Sequence, residues 1–421
     1  MQELSIERKK QEILDQEENE ICDKCLGRQF AKLGHGLENE QRAQILKNTK
    51  NTTKEDFKKE NIPKNTQAEI GCQYCGELLE KIDEHAENII SSWERYELDT
   101  FLIGIRPPTQ LVEKEDELWE KYGTAWTETL KTELSRLIGK KIEDKTGLSV
   151  DFKRPDINAV LDLREGKKRV ELQVNSLLFY GRYNKYSREL PQTVWHCRKC
   201  RGSGCERCDW KGKMYDESVQ EILQEPFMRE SKAIEAKFHG NGREDIDAKC
   251  FAKREFVLEL IEPLNRELNP GDLQEEINES QDKIEIFEMQ TTHIDKIEEI
   301  KETRTPKKYK AHVELSEERN ISDLKDLQQL LGVIEQRTPE RVEQRRADKI
   351  REREVHEIDV EMDGDSGKEF ILYVKAEAGT YIKEMLSSDG GRTEPSVAGI
   401  LNCEAECTAL DVEWIEKIGN E

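Results

Sequence analysis

Eight cysteines arranged as four C-x-x-C pairs constrain this chain more than any other feature of its sequence. One C-x-x-C turn supplies two thiolates to a metal, and Zn²⁺ prefers four thiolates in a tetrahedron. We therefore expect two closed structural zinc sites with no catalytic role. The pairs that would build them are Cys22 and Cys25 with Cys72 and Cys75, and Cys197 and Cys200 with Cys205 and Cys208.

Whether the paired cysteines bind metal or form disulfides depends on the cellular compartment of the protein. The first twenty residues lack the apolar centre of a secretory signal, and no apolar run approaches the ~18 residues that cross a bilayer. We expect a cytoplasmic protein without a membrane partner, where paired cysteines favour metal. Reduced or redox-active thiols remain the alternative, as does His196 replacing one ligand. Cys250, Cys403 and Cys407 are predicted to be small core residues or inert thiols.

The charge of the chain bears on its partner. It has 421 residues, with 67 Lys and Arg against 90 Asp and Glu, and a net charge of −23. Such a balance argues against nucleic acid as the partner, because phosphate binding usually leaves a basic footprint. However, the acidic surplus concentrates in residues 272–302, whereas residues 182–213 are basic, and binding responds to the local potential. Composition therefore does not exclude nucleic acid.

Changes of pattern along the chain suggest three segments. Residues 1–99 carry the first two cysteine pairs, residues 100–174 mix strand-like and helical runs as a small α/β module, and residues 175–421 form the rest. Within the last segment we predict a helix over 218–238 and strands over 254–261, 309–315 and 369–378. The predicted organisation is therefore two halves joined near residue 175.

Two loops could carry chemistry. HGNGREDIDA packs Arg243, Glu244, Asp245 and Asp247 beside glycines, which let a backbone approach a ligand closely. GTYIKEMLSSDGGRTEPS supplies Tyr381 and Lys383, and its aromatic ring beside a cation suits base stacking next to phosphate. From the residues alone, the favoured interpretations are a solvated acidic turn for the first loop and, for the second, a tyrosine in the core with a lysine in solvent.

Motifs spread over nearly the whole chain resemble one family. They are CxxCLGRQFAKLGHGL, RPDINAV, VELQVNSLLFYGRYNKYSRELPQT, GREDIDA followed by EFVLEL, RTPERVxxRR and AGTYIKEMLSSDGGRT. In this order they resemble the archaeal and eukaryotic tRNA pseudouridine synthases that act on positions 54 and 55 of the T arm. The second cysteine cluster resembles the archaeal branch.

The resemblance implies an α+β fold. An N-terminal accessory half would hold a zinc site and a THUMP-type RNA-binding module of α/β type. A C-terminal pseudouridine synthase domain would contain a mixed, largely antiparallel sheet. By the same resemblance, the segments 1–99, 100–174 and 175–421 are expected to be the zinc-binding, THUMP-like and catalytic parts.

The resemblance also implies roles for residues. Asp245 would be the catalytic carboxylate, Tyr309 the tyrosine that stacks on the target base, Lys383 the basic partner of Asp245, and Tyr381 a second pocket tyrosine. Arg243 would hold a phosphate or the loop itself. The backbone of the tRNA T arm would be contacted by Arg341, Arg345 and Arg346.

Neither an organic cofactor nor an obligate protein partner is expected. The alternative function is a non-catalytic, zinc-containing tRNA-binding protein. Another THUMP-bearing enzyme, such as a methyltransferase or thiolase, is disfavoured because the sequence shows neither a glycine-rich nucleotide-binding loop after a strand nor a P-loop.

Overall fold

The chain forms two compact units, residues 1–175 and 176–421. The structure is a computed structural model and describes residues 5–17, 20–63, 71–166, 168–343, 346–363 and 367–415. Within these residues, no helix is both long and apolar enough to span a bilayer.

The first unit places helices around a small sheet. Its helices are α1 (Ile6–Glu17), α2 (Asp23–Arg28), α3 (Asn39–Asn48), α4 (Ile82–Trp93), α5 (Thr109–Tyr122) and α6 (Leu130–Thr146). Its strands are β1 (Thr100–Arg106), β2 (Ser149–Val150), β3 (Ile157–Asp162) and β4 (Arg169–Val174).

The four strands follow the order β2-β1-β3-β4, in which β1 runs parallel to both neighbours and β4 runs antiparallel to β3. Alternate residues of β1 are buried, which matches the period of two expected for a strand with one covered face. Helix α6 begins after Thr129, whose side chain accepts a hydrogen bond from the Thr132 amide, and ends at Gly147 in the left-handed conformation. Residues 100–174 of this unit contain β1 to β4, α5 and α6, which is the mixture of strands and helices that the sequence predicts for this segment.

The second unit is built on one long sheet. Its strands are β5 (Leu177–Lys185), β6 (Glu235–Gly240), β7 (Ala248–Ile261), β8 (Ile284–Thr291), β9 (Lys307–Leu315), β10 (Gly332–Arg337), β11 (Ile350–Met362), β12 (Glu369–Ala376), β13 (Thr393–Glu394) and β14 (Ala405–Ile415). Its helices are α7 (Val219–Ser231), α8 (Pro270–Ser280), α9 (Asp295–Glu302), α10 (Ile321–Leu324), α11 (Ile382–Ser387) and α12 (Val397–Leu401).

The strands lie in the order β13-β10-β11-β12-β9-β14-β7-β5-β8, and β6 also pairs with β7. Among the described strands, only the β14–β7 pair is parallel. The sheet is therefore mixed and largely antiparallel, as expected. One core surrounds Phe179, Phe227 and Phe256, and another surrounds Val313, Leu372 and Met385.

Strand β7 explains where a cleft can form. Along one edge, residues 256–261 pair with β6, whereas residues 248–250 of the same edge pair with β14. Residues 241–247 form the loop that connects β6 to β7. This loop lies where the edge of β7 stops pairing with β6 and starts pairing with β14. A loop at such a change of partner is held between two strands, while its side chains can project from the sheet.

The predicted helix over 218–238 is too long. Helix α7 ends at Ser231 because Lys232 adopts a left-handed conformation, with φ of 53°. The residues that follow form β6, since their pairing with β7 supplies backbone hydrogen bonds that override helical periodicity. The predicted strands over 254–261, 309–315 and 369–378 fall within β7, within β9 and largely within β12.

Candidate active site and metal centres

Asp245 lies in the loop 241–247 with its carboxylate held between two cations. Arg341 Nη1 lies 3.4 Å from Oδ1, and Lys383 Nζ lies 3.6 Å from Oδ2. The Asp245 side chain is 36% exposed, so the carboxylate is neither buried behind apolar side chains nor fully solvated. It can meet a ligand without first breaking a packed core.

Lys383 makes its shorter contacts with another carboxylate. Its Nζ lies 2.9 Å and 2.7 Å from the two oxygens of Asp247. Partial burial raises the pKa of Asp247, but the hydrogen bond and charge of Lys383 outweigh it and hold this pKa below its usual value. Lys383 is thus shared between Asp247 and Asp245, whereas the family resemblance implies a pair with Asp245 alone.

Arg341 is oriented by a carboxylate that the sequence did not single out. Its Nε donates to Glu384 Oε1 at 2.6 Å, and the Glu384 side chain is only 6% exposed. A guanidinium is planar, so fixing one edge also fixes the direction of the other nitrogens. Glu384 therefore aims Arg341 at Asp245.

Tyr381 and Arg346 contact each other rather than Asp245. Arg346 Nη1 donates to the Tyr381 hydroxyl at 2.9 Å. Both backbone polar groups of Tyr381 bond the buried Gln336 side chain, at 2.8 Å and 3.0 Å. Gln336 thereby fixes the start of α11, which carries Lys383. Arg345, the third predicted backbone contact, lies outside the described residues.

A buried ion pair anchors the loop from below. Glu244 Oε2 lies 2.8 Å from Arg254 Nε, and both side chains are 1% exposed. The Tyr183 hydroxyl donates to Glu244 at 2.9 Å, and Arg254 Nη1 donates to the Asn241 carbonyl at 2.8 Å. The Glu244 side chain points into the core and the Asp245 side chain points into solvent. Burial of Glu244 therefore fixes the backbone position from which Asp245 projects.

Two further buried donors hold the loop backbone. Lys185 Nζ lies 3.2 Å from the Asp245 carbonyl and 2.8 Å from the Ile246 carbonyl. The Gln192 amide donates to the Gly242 carbonyl at 3.0 Å. Both residues lie in the motif LLFYGRYNKYSRELPQT. The sequence does not reveal their role, because polar side chains such as these are usually exposed, whereas here both are buried.

Lys307 packs against the same loop. It is 8% exposed, and neither an ion pair nor a hydrogen bond to its amine is found among the described residues. A Cβ at Gly242 would lie 2.8 Å from Lys307 Nζ, and Gly242 has φ of +73°, so this position favours glycine. Burial lowers the pKa of Lys307 to about 7, and the positive charge of Arg254 adds to this effect.

Tyr309 follows on the same strand, β9, and is partly buried against the core. Burial raises the pKa of its phenol to about 12. The charge of Asp245 acts in the same direction and that of Arg254 opposes it. Tyr309 is therefore a neutral phenol at physiological pH, within electrostatic reach of Asp245.

A cavity of about 800 Å³ opens above Asp245. This volume lies in the usual range for ligand sites. Its lining is balanced in charge, unlike the chain as a whole: it includes five cationic and five acidic side chains. The cationic ones are Arg188, Arg243, Lys283, Arg341 and Lys383.

Arg243 lies on the cavity wall with its guanidinium over the Trp195 ring, 4.9 Å from the centroid. The ring of Tyr215 packs edge-on against the Trp195 ring, with the two centroids 5.7 Å apart. Stacking leaves the guanidinium nitrogens available in the plane of the group, where they can donate to an anion. Tyr309 and Tyr381 are not among the residues that line the cavity.

The eight paired cysteines meet in the two expected groups. Within each group the four sulfurs lie within 4.8 Å of one another. The sulfur–sulfur distances of 3.7 Å to 3.9 Å match the ~3.8 Å edge of a tetrahedron with ~2.3 Å Zn–S bonds. His196 belongs to neither group.

The surroundings of both groups suit thiolates. In the second group, the amides of Cys205 and Gly212 each donate to Cys208 Sγ at 3.3 Å. In the first, the buried Arg28 guanidinium pairs with Glu115 and interacts electrostatically with Cys25. Amide donors and a nearby cation offset the charge of four sulfurs around one ion, so the donor set fits Zn²⁺.

Comparisons with known families match both units. Residues 178–416 match the family "Pus10, C-terminal", and residues 85–162 match the family "Pus10 THUMP domain, archaeal". The predicted fold class is thereby confirmed. The segment boundaries at 99 and 174 stay a prediction.

Named relatives are similar over nearly the whole chain. The "tRNA pseudouridine synthase Pus10" of Methanothrix thermoacetophila is 37% identical, over 93% of this chain and 91% of its own. The protein of the same name from Methanothermobacter marburgensis is 38% identical, over 97% and 98%. A solved Cbf5-Nop10-Gar1 complex matches 56% of this chain and 47% of its own at 15% identity and a TM-score of 0.30, which does not establish a shared fold.

The buried ion pair leads to a stability prediction. Glu244→Gln leaves the Arg254 charge buried without its partner, which we expect to cost about 3–5 kcal/mol in the free energy of unfolding. The double change Glu244→Gln with Arg254→Met removes both charges and should recover part of this loss. Urea unfolding of the wild type, both single variants and the double variant measures the coupling. A loss for Glu244→Gln no larger than that for Glu276→Gln, which breaks the exposed pair with Arg229, would contradict the prediction.

The depressed pKa of Lys307 leads to a pH prediction. Between the folded pKa of about 7 and the usual value of 10.5, the unfolded chain binds a proton that the folded chain does not, which favours unfolding. Lys307→Met should therefore unfold at higher urea than the wild type at pH 7, and the difference should shrink towards pH 10. Lys308→Met, at the exposed neighbouring position, should show no such trend. Equal pH dependence of the two variants would show that the Lys307 amine is not neutralised by folding.

Proposed function

This chain belongs to the Pus10 family of tRNA pseudouridine synthases, and from that premise we propose that it isomerises uridine to pseudouridine in tRNA. The positions proposed are 55 and also 54 of the T arm. The observation that carries the proposal is the partly exposed carboxylate of Asp245, held between Arg341 and Lys383 in a cavity of about 800 Å³.

Asp245 is proposed as the catalytic residue. Its carboxylate either attacks C1′ of the ribose and forms an ester as the glycosidic bond breaks, or accepts the proton of C2′ as that bond breaks. The uracil anion rotates and its carbon 5 bonds to C1′, which breaks the ester in the first route and is accompanied by return of the proton to C2′ in the second. Carbon 5 then loses its proton and nitrogen 1 of the uracil takes one up, so the product is an isomer of the substrate. Both routes need a carboxylate fixed against a ribose, and the buried Glu244 together with Lys185 supports such a fixed position. The reaction uses side chains of this chain and no organic cofactor.

The remaining site residues are proposed to position the nucleotide. A uridine within a folded T arm must be flipped out before Asp245 can reach it. Arg243, Arg341 and Lys383 can neutralise the phosphates beside the flipped nucleotide. Tyr309, a neutral phenol within electrostatic reach of Asp245 but outside the cavity lining, is proposed as the ring that stacks on the base. Tyr381 and Arg346, which contact each other, are proposed to meet the RNA backbone nearby.

Each cysteine group is proposed to hold one structural Zn²⁺. The sulfur spacing and the amide donors to Cys208 support this. Four protein ligands leave no open coordination position, so the ion would order its loop and take no part in the isomerisation.

The catalytic proposal is tested by replacing one carboxylate. Asp245→Asn keeps the shape and removes the charge, so we expect pseudouridine formation on an unmodified tRNA transcript to fall below detection, at least about 1,000-fold. Carbodiimide-dependent reverse-transcription stops measure positions 54 and 55 on the same transcript. Glu217→Gln is the matched control, because Glu217 lines the same cavity but pairs with Lys283, and should stay within about twofold.

The outcomes separate the proposal from its alternative. Wild type that forms no pseudouridine at either position, yet binds the transcript, would favour a non-catalytic tRNA-binding protein. Full activity of Asp245→Asn would remove the assigned role of this carboxylate. A stop at position 55 alone would restrict the proposal to that site.

The metal proposal predicts about two zinc ions per chain by elemental analysis. Replacing Cys205 and Cys208 by Ser should lower this to about one, because a four-thiolate site does not survive with two ligands. Cys403→Ser with Cys407→Ser, outside both groups, is the control and should keep two. Zinc content unchanged by the first double variant would exclude the second site.

A further inference from the structure

The second cysteine group belongs to a projecting turn beside the cavity, residues 195–215, which we name the knuckle. Its two ends are tied together, since the Met214 amide donates to the Trp195 carbonyl and the Cys197 amide to the Gly212 carbonyl, each at 2.8 Å. Trp195, Met214 and Tyr215 all line the cavity that contains Asp245. The base of the knuckle is therefore one wall of the proposed active site.

The knuckle exposes a large aromatic ring. Trp210 is 72% exposed, although indole is among the side chains that gain most from burial. Its backbone has φ of 63°, next to Asp209 with φ of 49°, an unfavourable pair of left-handed residues outside glycine. The Trp210 amide is tied to the Cys205 carbonyl at 3.0 Å. The turn thus fixes the Trp210 backbone at a place where the ring is exposed to solvent.

The knuckle that carries this ring also carries unpaired cations. Arg198, Lys199, Arg201 and Arg207 are all exposed, and within the described part of the chain none has an ion pair or a hydrogen bond from its side chain. Lys211, a fifth exposed cation of the knuckle, is by contrast paired with Asp216 just beyond its end. The knuckle has six Lys and Arg against two acidic residues. It stays positive even with the two negative charges of a four-thiolate zinc site.

We propose that the knuckle is a binding surface for unpaired nucleotides of the RNA, in which Trp210 stacks on a base and the four cations contact phosphates. The combination of an exposed ring with unpaired cations is what single-stranded nucleic acid requires, because every base has a face to stack and every phosphate a charge. An acidic protein would use the cations but leave the ring without a role. The proposal rests on the proposed function and extends it to the nucleotides beside the target.

The test uses the full chain and a tRNA transcript. Trp210→Ala should raise Kd about tenfold, the size of one lost stacking contact, while Trp210→Phe should recover most of the affinity. Trp414→Ala is the matched control, since Trp414 is another exposed Trp in the same unit and has Lys375 over its ring. Unchanged Kd for Trp210→Ala would overturn the stacking contact.

The cations are tested by salt dependence. Changing Arg198, Lys199, Arg201 and Arg207 to Gln should reduce the slope of log Kd against log salt by about 3, because single-stranded binding releases ~0.7 counterion per phosphate contact. The control changes four exposed lysines outside the knuckle to Gln, with the same change in net charge: Lys232, Lys237, Lys301 and Lys325. Equal slopes for the two quadruple variants would overturn the proposal.

A measurement on the wild type keeps the proposal testable if a variant loses its metal. Transcripts carrying 4-thiouridine should photo-crosslink to peptides within 195–215, and absence of such crosslinks would overturn the proposal. Polyglutamate that competes as well as RNA would point instead to an acidic protein partner. These experiments measure binding and not catalysis. The knuckle can therefore bind RNA even if no pseudouridine forms, and pseudouridine can form even if the knuckle does not bind RNA, so each proposal can be rejected independently of the other.

Discussion

The buried pair of Glu244 and Arg254 is the interaction on which the candidate site depends. Two charges that are 1% exposed are expensive to remove from water, and they are tolerated because they form an ion pair with each other. In addition, Glu244 accepts a hydrogen bond from the Tyr183 hydroxyl, and Arg254 Nη1 donates one to the Asn241 carbonyl. Glu244 is adjacent to Asp245, so the backbone that buries one carboxylate must present the next. Because Glu244 is held in the core, the neighbouring Asp245 is held in the cavity.

The sheet explains why the loop can be held there. One edge of strand β7 pairs with β6 over residues 256–261 and with β14 over residues 248–250. The loop 241–247 lies beside the stretch of β7 between these two pairings. Lys185 donates to the carbonyls of Asp245 and Ile246, and Gln192 donates to that of Gly242, so buried side chains tie down the loop backbone. The geometry around Asp245 is thus set by buried polar groups and not by the exposed ion pairs, which contribute little on their own.

Charge in this molecule is distributed locally. The chain carries −23 overall, yet the cavity lining has equal numbers of cationic and acidic side chains and the knuckle has a cationic surplus. Acidity elsewhere does not weaken these patches greatly, because exposed charges farther apart than ~8–10 Å are largely screened at physiological ionic strength. A net acidic protein can therefore present a surface that fits phosphate.

The sequence by itself determined the family, the fold class and the grouping of cysteines that the structure brings together, because these follow from residue types at short, fixed spacings. It located the loop of Asp245 and the turn of Lys383 for the same reason. Only the tertiary structure decided that Lys383 lies closer to Asp247, that Glu384 orients Arg341, and that Lys307 is buried beside Gly242. Most of these contacts join residues that are far apart in the chain. Which polar side chains are buried is decided only when the strands pair, because buried and exposed polar residues look alike in the sequence.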